Sequence, residues 1–147
     1  MSSAATPSAP QTPAILRRLV SMLYDALLLL GVLAVAFLLP HVLLGVIAHR
    51  TAAPALVQGH LFLVLLAYFG WFWLHGGQTL AMKTWAIRLE NAEGGPVRPL
   101  QALLRYLLAW PSLCLLGIGL LWALVDRDGQ FLHDRLSGTR LARYPRT

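Results

Sequence analysis

The sequence predicts an all-α membrane protein with about three hydrophobic helices and a small segment outside the membrane. Hydrophobic residues make up 57% of the 147 residues and charged residues only 12%, whereas a soluble domain has about 25% charged residues. The apolar residues also form long blocks, each with room for the roughly 20 residues that cross a bilayer. Buried helices of a soluble bundle are the alternative, but three such blocks would leave too little polar surface.

The N-terminal tail, residues 1–14, is rich in Ser, Ala, Pro and Thr, and we expect it to be disordered. It carries no positive charge. The apolar run that follows continues past a cleavage-like triplet at residues 34–36. We therefore expect no cleaved signal peptide here. The membrane domain is assigned to residues 15–143, and residues 144–147 form a C-terminal tail.

Three spans are predicted, at about residues 15–39, 56–74 and 104–125. The first is expected to stop at Pro40. The second has aromatic residues crowded at one end, as an interfacial belt would have. The third contains Pro111 and a Gly-Ile-Gly sequence, so we expect it to kink or to re-enter the membrane.

The basic residues predict the topology. Arg17 and Arg18 precede the first span, whereas the first loop has Arg50 as its one arginine. The second loop carries four basic residues, Lys83, Arg88, Arg98 and Arg105. The positive-inside rule therefore places the N-terminus and the second loop in the cytoplasm. Three full crossings would put the five arginines of the tail outside, so a re-entrant third block with a cytoplasmic tail is expected.

A two-stranded ribbon outside the membrane is also predicted. Residues 85–90 and 139–144 alternate between apolar and polar side chains, which is strand periodicity. The two segments can pair only on one side of the membrane. An interfacial amphipathic helix capped by Thr79 is the alternative for residues 80–90. We expect a helix over Leu80–Thr84, followed by a strand.

Three short motifs occur in order along the chain. An Arg-Arg pair at the mouth of the first helix is followed by Asp25. Residues 77–83 read Gly-Gln-Thr-Leu-Ala-Met-Lys, and residues 131–139 read Phe-Leu-His-Asp-Arg-Leu-Ser-Gly-Thr. Together they resemble the motifs of the RDD family of bacterial membrane proteins, over about residues 15–143. Ala81 departs from the glycine that is usual in the family, and Met82 is an unexpected residue type.

The resemblance implies a multi-pass protein of the bacterial inner membrane. The family is named for one arginine and two aspartates. By motif these map to Arg18 or Arg17, to Asp25, and to Asp134, with Asp126 as a rival for the last. The family's molecular function is poorly defined, so the resemblance implies fold and location more than activity.

Asp25 is the most informative residue, because a charge at mid-bilayer costs roughly 2.5–3.5 kcal/mol. Arg18, Ser21 and Asp25 share one helix face. A direct bridge from Arg18 to Asp25 is awkward, since helical side chains lean towards the N-terminus and Arg18 leans away. One of three cations from other segments is expected to neutralise Asp25, namely Lys83, Arg105 or Arg135. Asp134, expected at the surface, would neutralise Arg18.

Three interpretations of these charges stay open. They form an ion-pair network that locks the helices and the tail together, or Asp25 is a cation or proton site, or Asp25 is neutral and only hydrogen-bonded. The candidate functional and ion-pair residues are Arg17, Arg18, Asp25, Lys83, Arg105, Asp126, Asp134 and Arg135.

Other chemistry is not expected. The acidic turn that begins at Asp126 lacks the later ligands of a calcium loop and is interpreted as a tight turn. The five histidines show no zinc-ligand spacing, and no nucleophile–base pair stands out. We expect no enzyme, metal or cofactor. The net charge of +6 is attributed to anionic lipid and not to nucleic acid.

The leading functional hypothesis is a membrane module that carries or gates a small solute, or a monovalent cation or proton, past Asp25. The module is expected to act alone or within a homo-oligomer. The alternative is a non-transporting scaffold or accessory subunit that binds another membrane protein.

Overall fold

The computed structural model describes residues 11–115 and 117–144. Its elements, in chain order, are α1 (Ile15–Leu33), a π-helical turn (Ala34–Leu38), α2 (Leu39–Ala48), α3 (Pro54–Leu74), α4 (Leu80–Thr84), β1 (Ile87–Asn91), α5 (Pro99–Cys114), α6 (Ile118–Leu121), a 3₁₀ turn (Trp122–Leu124), α7 (Leu132–Leu136) and β2 (Thr139–Arg143). Within the described ranges, two helices are long and apolar enough to cross a membrane, and a bent helix pair could form a third span. The predicted fold class is confirmed.

The first membrane helix does not stop at Pro40, where the sequence predicted its end. It runs from Ile15 to Ala48, a length of 34 residues. Proline cannot donate a backbone hydrogen bond, and a π-helical turn lies directly before it. The ring of His41 donates from Nδ1 to the carbonyl of Phe37 at 2.7 Å, and it stacks on His60 of α3. These contacts let the helix continue beyond the proline.

The second membrane helix, Pro54–Leu74, begins two residues before the predicted span and ends where expected. It packs against α5, because Tyr106 donates a hydrogen bond to the carbonyl of Phe62 at 2.8 Å and the two rings meet edge to face. After it, Gly76 and Gly77 adopt φ values of +108° and +71°, which allow the sharp turn into α4.

The third apolar block is bent, as predicted. It begins at Pro99, earlier than expected, and turns by 104° between Cys114 and Ile118. Gly117 at the bend has a φ of +73°. Gly119 packs against Ser112 so closely that a Cβ atom would overlap the serine side chain. The helix therefore folds back on itself and does not form one straight span over residues 104–125.

The predicted ribbon is confirmed. Strand β1 pairs antiparallel with β2, from Ile87 opposite Arg143 to Asn91 opposite Thr139. The short helix α4 precedes it, capped by the Thr79 hydroxyl, which accepts from the backbone N–H of Met82 at 3.2 Å. This pairing places the second loop and the tail on the same side of the membrane. The helices α4 and α7, the two strands and Gln11 are called the polar layer below.

The N-terminal segment departs from its predicted disorder at residue 11. Gln11 accepts from the backbone N–H of Arg143 at 2.7 Å and donates back at 3.4 Å, and Pro13 is buried. This backbone pairing orders the chain just before α1. The rest of the predicted disordered tail, residues 1–10, and most of the C-terminal tail, residues 145–147, lie outside the described residues.

The core of the protein lies in the polar layer and at the adjoining helix ends. Its largest fully buried apolar side chains are Ile87, Leu89 and Phe131. The two spanning helices are different, since few of their residues are buried and many of their large apolar side chains are exposed. Apolar helices with outward-facing apolar side chains suit a lipid solvent, whereas water would disfavour them. The fold therefore associates with a bilayer through α1 to α3.

Candidate functional site

The His-Asp motif of the tail lies inside the protein. Asp134 is fully buried, and its Oδ1 accepts from Nε of Arg105 at 2.6 Å. Nε2 of His133 lies 3.6 Å from the same oxygen. The expectation that Asp134 lies at the surface is wrong, because its neighbours Phe131 and His133 are themselves buried and carry it inward.

Asp25 has hydroxyl partners. Its Oδ2 accepts from the Thr79 hydroxyl at 2.7 Å and its Oδ1 from the Tyr68 hydroxyl at 3.3 Å. Arg105 acts on Asp25 electrostatically, but its ion pair is with Asp134. The Asp25 carboxylate is thus held by neutral groups of α3 and of the turn before α4.

Among the described residues Asp25 forms no direct ion pair with Arg105 or Arg135, although Arg105 still acts on it electrostatically. Arg135 pairs instead with Asp126 at 2.7 Å and with Asp128 at 3.2 Å. The reason is the position of α7, which points Arg135 into the acidic turn beside it. Lys83, the third expected partner, lies exposed on α4.

Arg18 is buried to 2% exposure. Its Nη2 donates to the carbonyl of Gly129, and its guanidinium lies 4.7 Å from the centre of the Phe131 ring. Asp134 acts on Arg18 electrostatically but accepts its hydrogen bond from Arg105, so the expected direct Arg18–Asp134 pair is replaced. The tail therefore holds Arg18 by a backbone carbonyl and an aromatic face.

The two adjacent arginines have different surroundings. Arg17 donates from Nη1 to the carbonyl of Trp85 at 3.0 Å and lies 5.9 Å from the indole ring. It therefore ties α1 to the segment before β1, whereas Arg18 points among the buried charges. Of the two arginines that fit the motif, Arg18 is the one beside Asp25 and Asp134.

Asp126 organises a turn. Its Oδ2 accepts from the backbone N–H groups of Gln130 at 2.9 Å and Asp128 at 3.2 Å, and Gly129 has a φ of +61°. These hydrogen bonds, above all the one from Gln130, lower the pKa of Asp126, and Arg135 acts in the same direction. The predicted tight turn is confirmed. Asp134 lies in a buried cluster with Arg105 and His133, whereas Asp126 shapes the loop that leads to α7.

His133 is a neutral group at pH 7. Burial lowers its pKa to about 4, and the positive charge of Arg105 adds to the effect while Asp134 opposes it. A neutral imidazole beside a buried ion pair can exchange a hydrogen bond but adds no charge. The described residues contain no group of three His, Cys, Asp or Glu that could hold a metal ion.

Sequence reasoning missed Tyr68 and Thr79 as the partners of Asp25. They lie 43 and 54 residues from it, so no local spacing connects them. Thr79 was assigned only a capping role, which it also has, and Tyr68 only a place in an aromatic belt. The occurrence of Thr79 inside the second motif was the one available signal.

A cavity of about 350 Å³ opens beside these groups. Along α1 its wall runs from Arg18 through Asp25 to Leu29, and along α5 it runs from Arg105 to Leu113. The wall is polar next to the polar layer and apolar deeper between the helices. Such a lining, apolar with a few converging polar groups, is typical of small-molecule sites.

A model of the RDD family matches residues 12–138 of the chain. The match spans the first two sequence motifs and the third as far as Gly138, and it includes Arg18, Asp25, Arg105 and Asp134. Comparison with curated proteins and with solved structures gave no match.

Proposed function

Since the chain belongs to the RDD family and has helices that can cross a membrane, we propose that it carries or gates a small solute, or a monovalent cation or proton, past Asp25. The observation that carries this proposal is the position of Asp25, a buried carboxylate in the wall of the cavity. An ionisable side chain at membrane depth is a functional-site hypothesis by default. The proposed role includes no covalent chemistry.

The partners of Asp25 support a change of its charge state. A hydroxyl donates to a carboxylate and can equally accept from a carboxylic acid. Thr79 and Tyr68 can therefore stay in contact with Asp25 when it binds a proton or a ligand. Asp134 is different, because protonating it would break its short ion pair with Arg105. Asp25 is thus the switchable carboxylate and Asp134 the fixed one.

The cavity supports a small solute. Its volume of about 350 Å³ lies in the range of small-molecule sites, about 300–1,000 Å³, and exceeds what a bare ion requires. The cation form of the proposal rests on the oxygen atoms of Asp25, Thr79 and Ser21, which all line the cavity or lie beside it. Hard cations prefer such oxygen groups.

We propose that the N-terminus, the second loop and the tail face the cytoplasm of a bacterial inner membrane. Support comes from the polar layer, in which these three segments meet. It contains five of the twelve Lys and Arg residues, and Arg17 and Arg18 lie at the end of α1 next to it, whereas the loop at the other end of α2 carries only Arg50. The positive-inside rule favours this orientation.

The test is flux in proteoliposomes, with a trapped pH dye reporting protons while sodium, potassium or lithium is added outside. We expect flux with the wild type, loss of it in Asp25→Asn, and retention in Asp128→Asn, which neutralises an exposed carboxylate. Equal flux in Asp25→Asn and the wild type would overturn the role of Asp25. No wild-type flux would overturn the cation form. Co-purification of another membrane protein in a fixed ratio would then favour the scaffold.

A further inference from the structure

We infer that the cavity binds an anionic amphiphile, with its oxyanion head on Arg18 and Ser21 and its alkyl chain between α1 and α5. This inference rests on the proposed function in taking the cavity as the solute site, and it names the class of solute. It is carried by unpartnered donors in the cavity wall, by the charge of the wall and by its apolar depth.

Arg18 presents two unused donors. Its Nη2 is occupied by the carbonyl of Gly129 and its flat face by Phe131, which fix the guanidinium in place. Nε and Nη1 are buried and have no hydrogen-bond partner among the described residues. A buried charged donor without a partner is costly, so these two nitrogen atoms favour an acceptor from a ligand. Nε and Nη1 lie on opposite edges of the guanidinium, and each shares its edge with Nη2, so an oxyanion can bind at either edge with the second Nη2 hydrogen as a further donor.

Ser21 supplies a third donor. Its hydroxyl is buried and has no partner in residues 11–115 and 117–144, and it lies three residues after Arg18 on the same helix face. Both side chains line the cavity. The guanidinium of Arg18 and the hydroxyl of Ser21 thus offer N–H and O–H donors from one helix face. Together they suit the oxygen atoms of one tetrahedral or planar oxyanion.

The charges of the wall favour an anion. Arg18 and Arg105 give two positive charges to the lining and Asp25 gives one negative charge, while His133 is neutral. Arg105 is already paired with Asp134, so the positive charge that remains for a ligand is that of Arg18, whose hydrogen bond goes to a neutral backbone carbonyl. Asp25 lies one turn beyond Ser21, so its repulsion keeps an oxyanion at the Arg18 side.

The remaining wall fits an alkyl chain. Beyond Asp25 the lining is Leu29, Leu65, Phe69, Trp110 and Leu113. Inorganic phosphate would leave this apolar part without a partner. An alkyl chain would contact it and gain about 0.8 kcal/mol per buried methylene group. A lipid phosphate and a fatty-acid carboxylate share this chemistry.

The experiment is equilibrium binding of radiolabelled decyl phosphate to the purified full chain in a non-ionic maltoside micelle. We expect saturable binding, with decanol and inorganic phosphate each binding at least about tenfold more weakly, since each lacks one half of the recognition. Arg18→Gln should raise the Kd about tenfold or more. Arg17→Gln is the matched control, because Arg17 contacts Trp85 and lies outside the cavity, and its Kd should equal that of the wild type.

Two further variants keep the test decisive if Arg18→Gln fails to fold. Ser21→Ala removes one donor at nearly constant size and should raise the Kd severalfold. Ala109 lies in the α5 wall of the cavity, and Ala109→Trp fills the apolar part of the cavity. This variant should abolish decyl phosphate binding while leaving weak binding of inorganic phosphate unchanged. Decanol binding as tightly as decyl phosphate would overturn the oxyanion site. Inorganic phosphate binding as tightly would overturn the amphiphile, and unchanged binding in Ser21→Ala and Ala109→Trp would overturn the location.

The outcomes separate this inference from the proposed function. Flux that depends on Asp25 without decyl phosphate binding would overturn the amphiphile and leave the proposed function standing. Palmitate and lysophosphatidic acid, tested as competitors, identify the source of the head group. Displacement of the label by either at micromolar concentration supports an amphiphile from the membrane, and displacement by neither overturns that source.

Discussion

Arg105 and Asp134 form a 2.6 Å hydrogen-bonded ion pair across 29 residues of sequence. The pair joins the start of the third apolar block to the motif after it. Arg105 also lies 4.3 Å from the centre of the Trp73 ring, so the same guanidinium contacts the end of α3. One buried pair thus ties α3, α5 and α7 together, and it brings the two ends of the bent block to the same face.

Asp134→Asn should strongly destabilise the protein, because Arg105 would remain buried without its counter-charge. Breaking one side of a buried pair costs about 3–5 kcal/mol in soluble proteins. Thermal unfolding in detergent measures the loss. The matched control is Asp128→Asn, whose side chain is 70% exposed and should change the stability by less than about 0.5 kcal/mol. Equal melting temperatures for the two variants would contradict the structural role of the pair.

Asp25→Asn should be much milder than Asp134→Asn. The amide oxygen can still accept from Thr79, so at most one hydrogen bond is weakened, at a cost of about 1 kcal/mol. If Asp25 had the cationic partner that the sequence predicted, Asp25→Asn would lower the stability as much as Asp134→Asn does. Unfolding curves of both variants in one detergent decide the matter. A loss of similar size in Asp25→Asn would mean that a cation does pair with Asp25.

Gly77→Ala should destabilise the turn between α3 and α4. The glycine has a φ of +71°, and an added Cβ would overlap the carbonyl of Leu89 in β1. Gly76→Ala is the control, since its φ is also positive but no atom lies near its Cβ position. We expect Gly77→Ala to lose about 1–3 kcal/mol more than the control. Equal thermal stabilities for Gly77→Ala and Gly76→Ala would contradict this expectation, because they would show that β1 shifts away from the added Cβ atom at no cost in free energy.

Reporter fusions should place the second loop and the C-terminal tail on the same side of the membrane. Strands β1 and β2 pair, so a reporter inserted at residue 93 and one fused after Thr147 should both give cytoplasmic signals. A reporter inserted at residue 51 should give a periplasmic signal. A periplasmic signal from the Thr147 fusion alone would require three full spans and would break the ribbon.

Acid should destabilise the protein through His133. Its pKa is lowered to about 4 in the folded state, chiefly by burial, whereas the unfolded side chain titrates near 6.5. The unfolded state therefore binds the proton first. The stability contributed by neutral His133 is complete above about pH 6.5 and declines by about 3 kcal/mol towards pH 4. The stability of His133→Gln, measured in parallel, should fall less over this range, and an identical pH profile would contradict the assignment.

The membrane class, the approximate positions of the spans, the bend and the ribbon all follow from the amino-acid sequence alone. These features depend on local properties. A lipid-facing helix needs only a long apolar run, a strand shows its two-residue period, and a proline with glycines marks a break. Leu80–Thr84 and β1 were predicted because capping and alternation are read from neighbouring residues. The end at Pro40 was predicted wrongly, since the support from Phe37, His41 and His60 spans two helices.

Which groups meet in the interior depends on how the helices pack. Asp25 lies beside Thr79 and Tyr68, Arg105 lies beside Asp134, and Arg18 is part of the lining of a cavity. The sequence shows which residues are charged but not which of them pair, because on charge alone several arginines could pair with each carboxylate. Packing of α5 and α7 against α1 fixes the distances, and at such low polarity distance determines which pair forms.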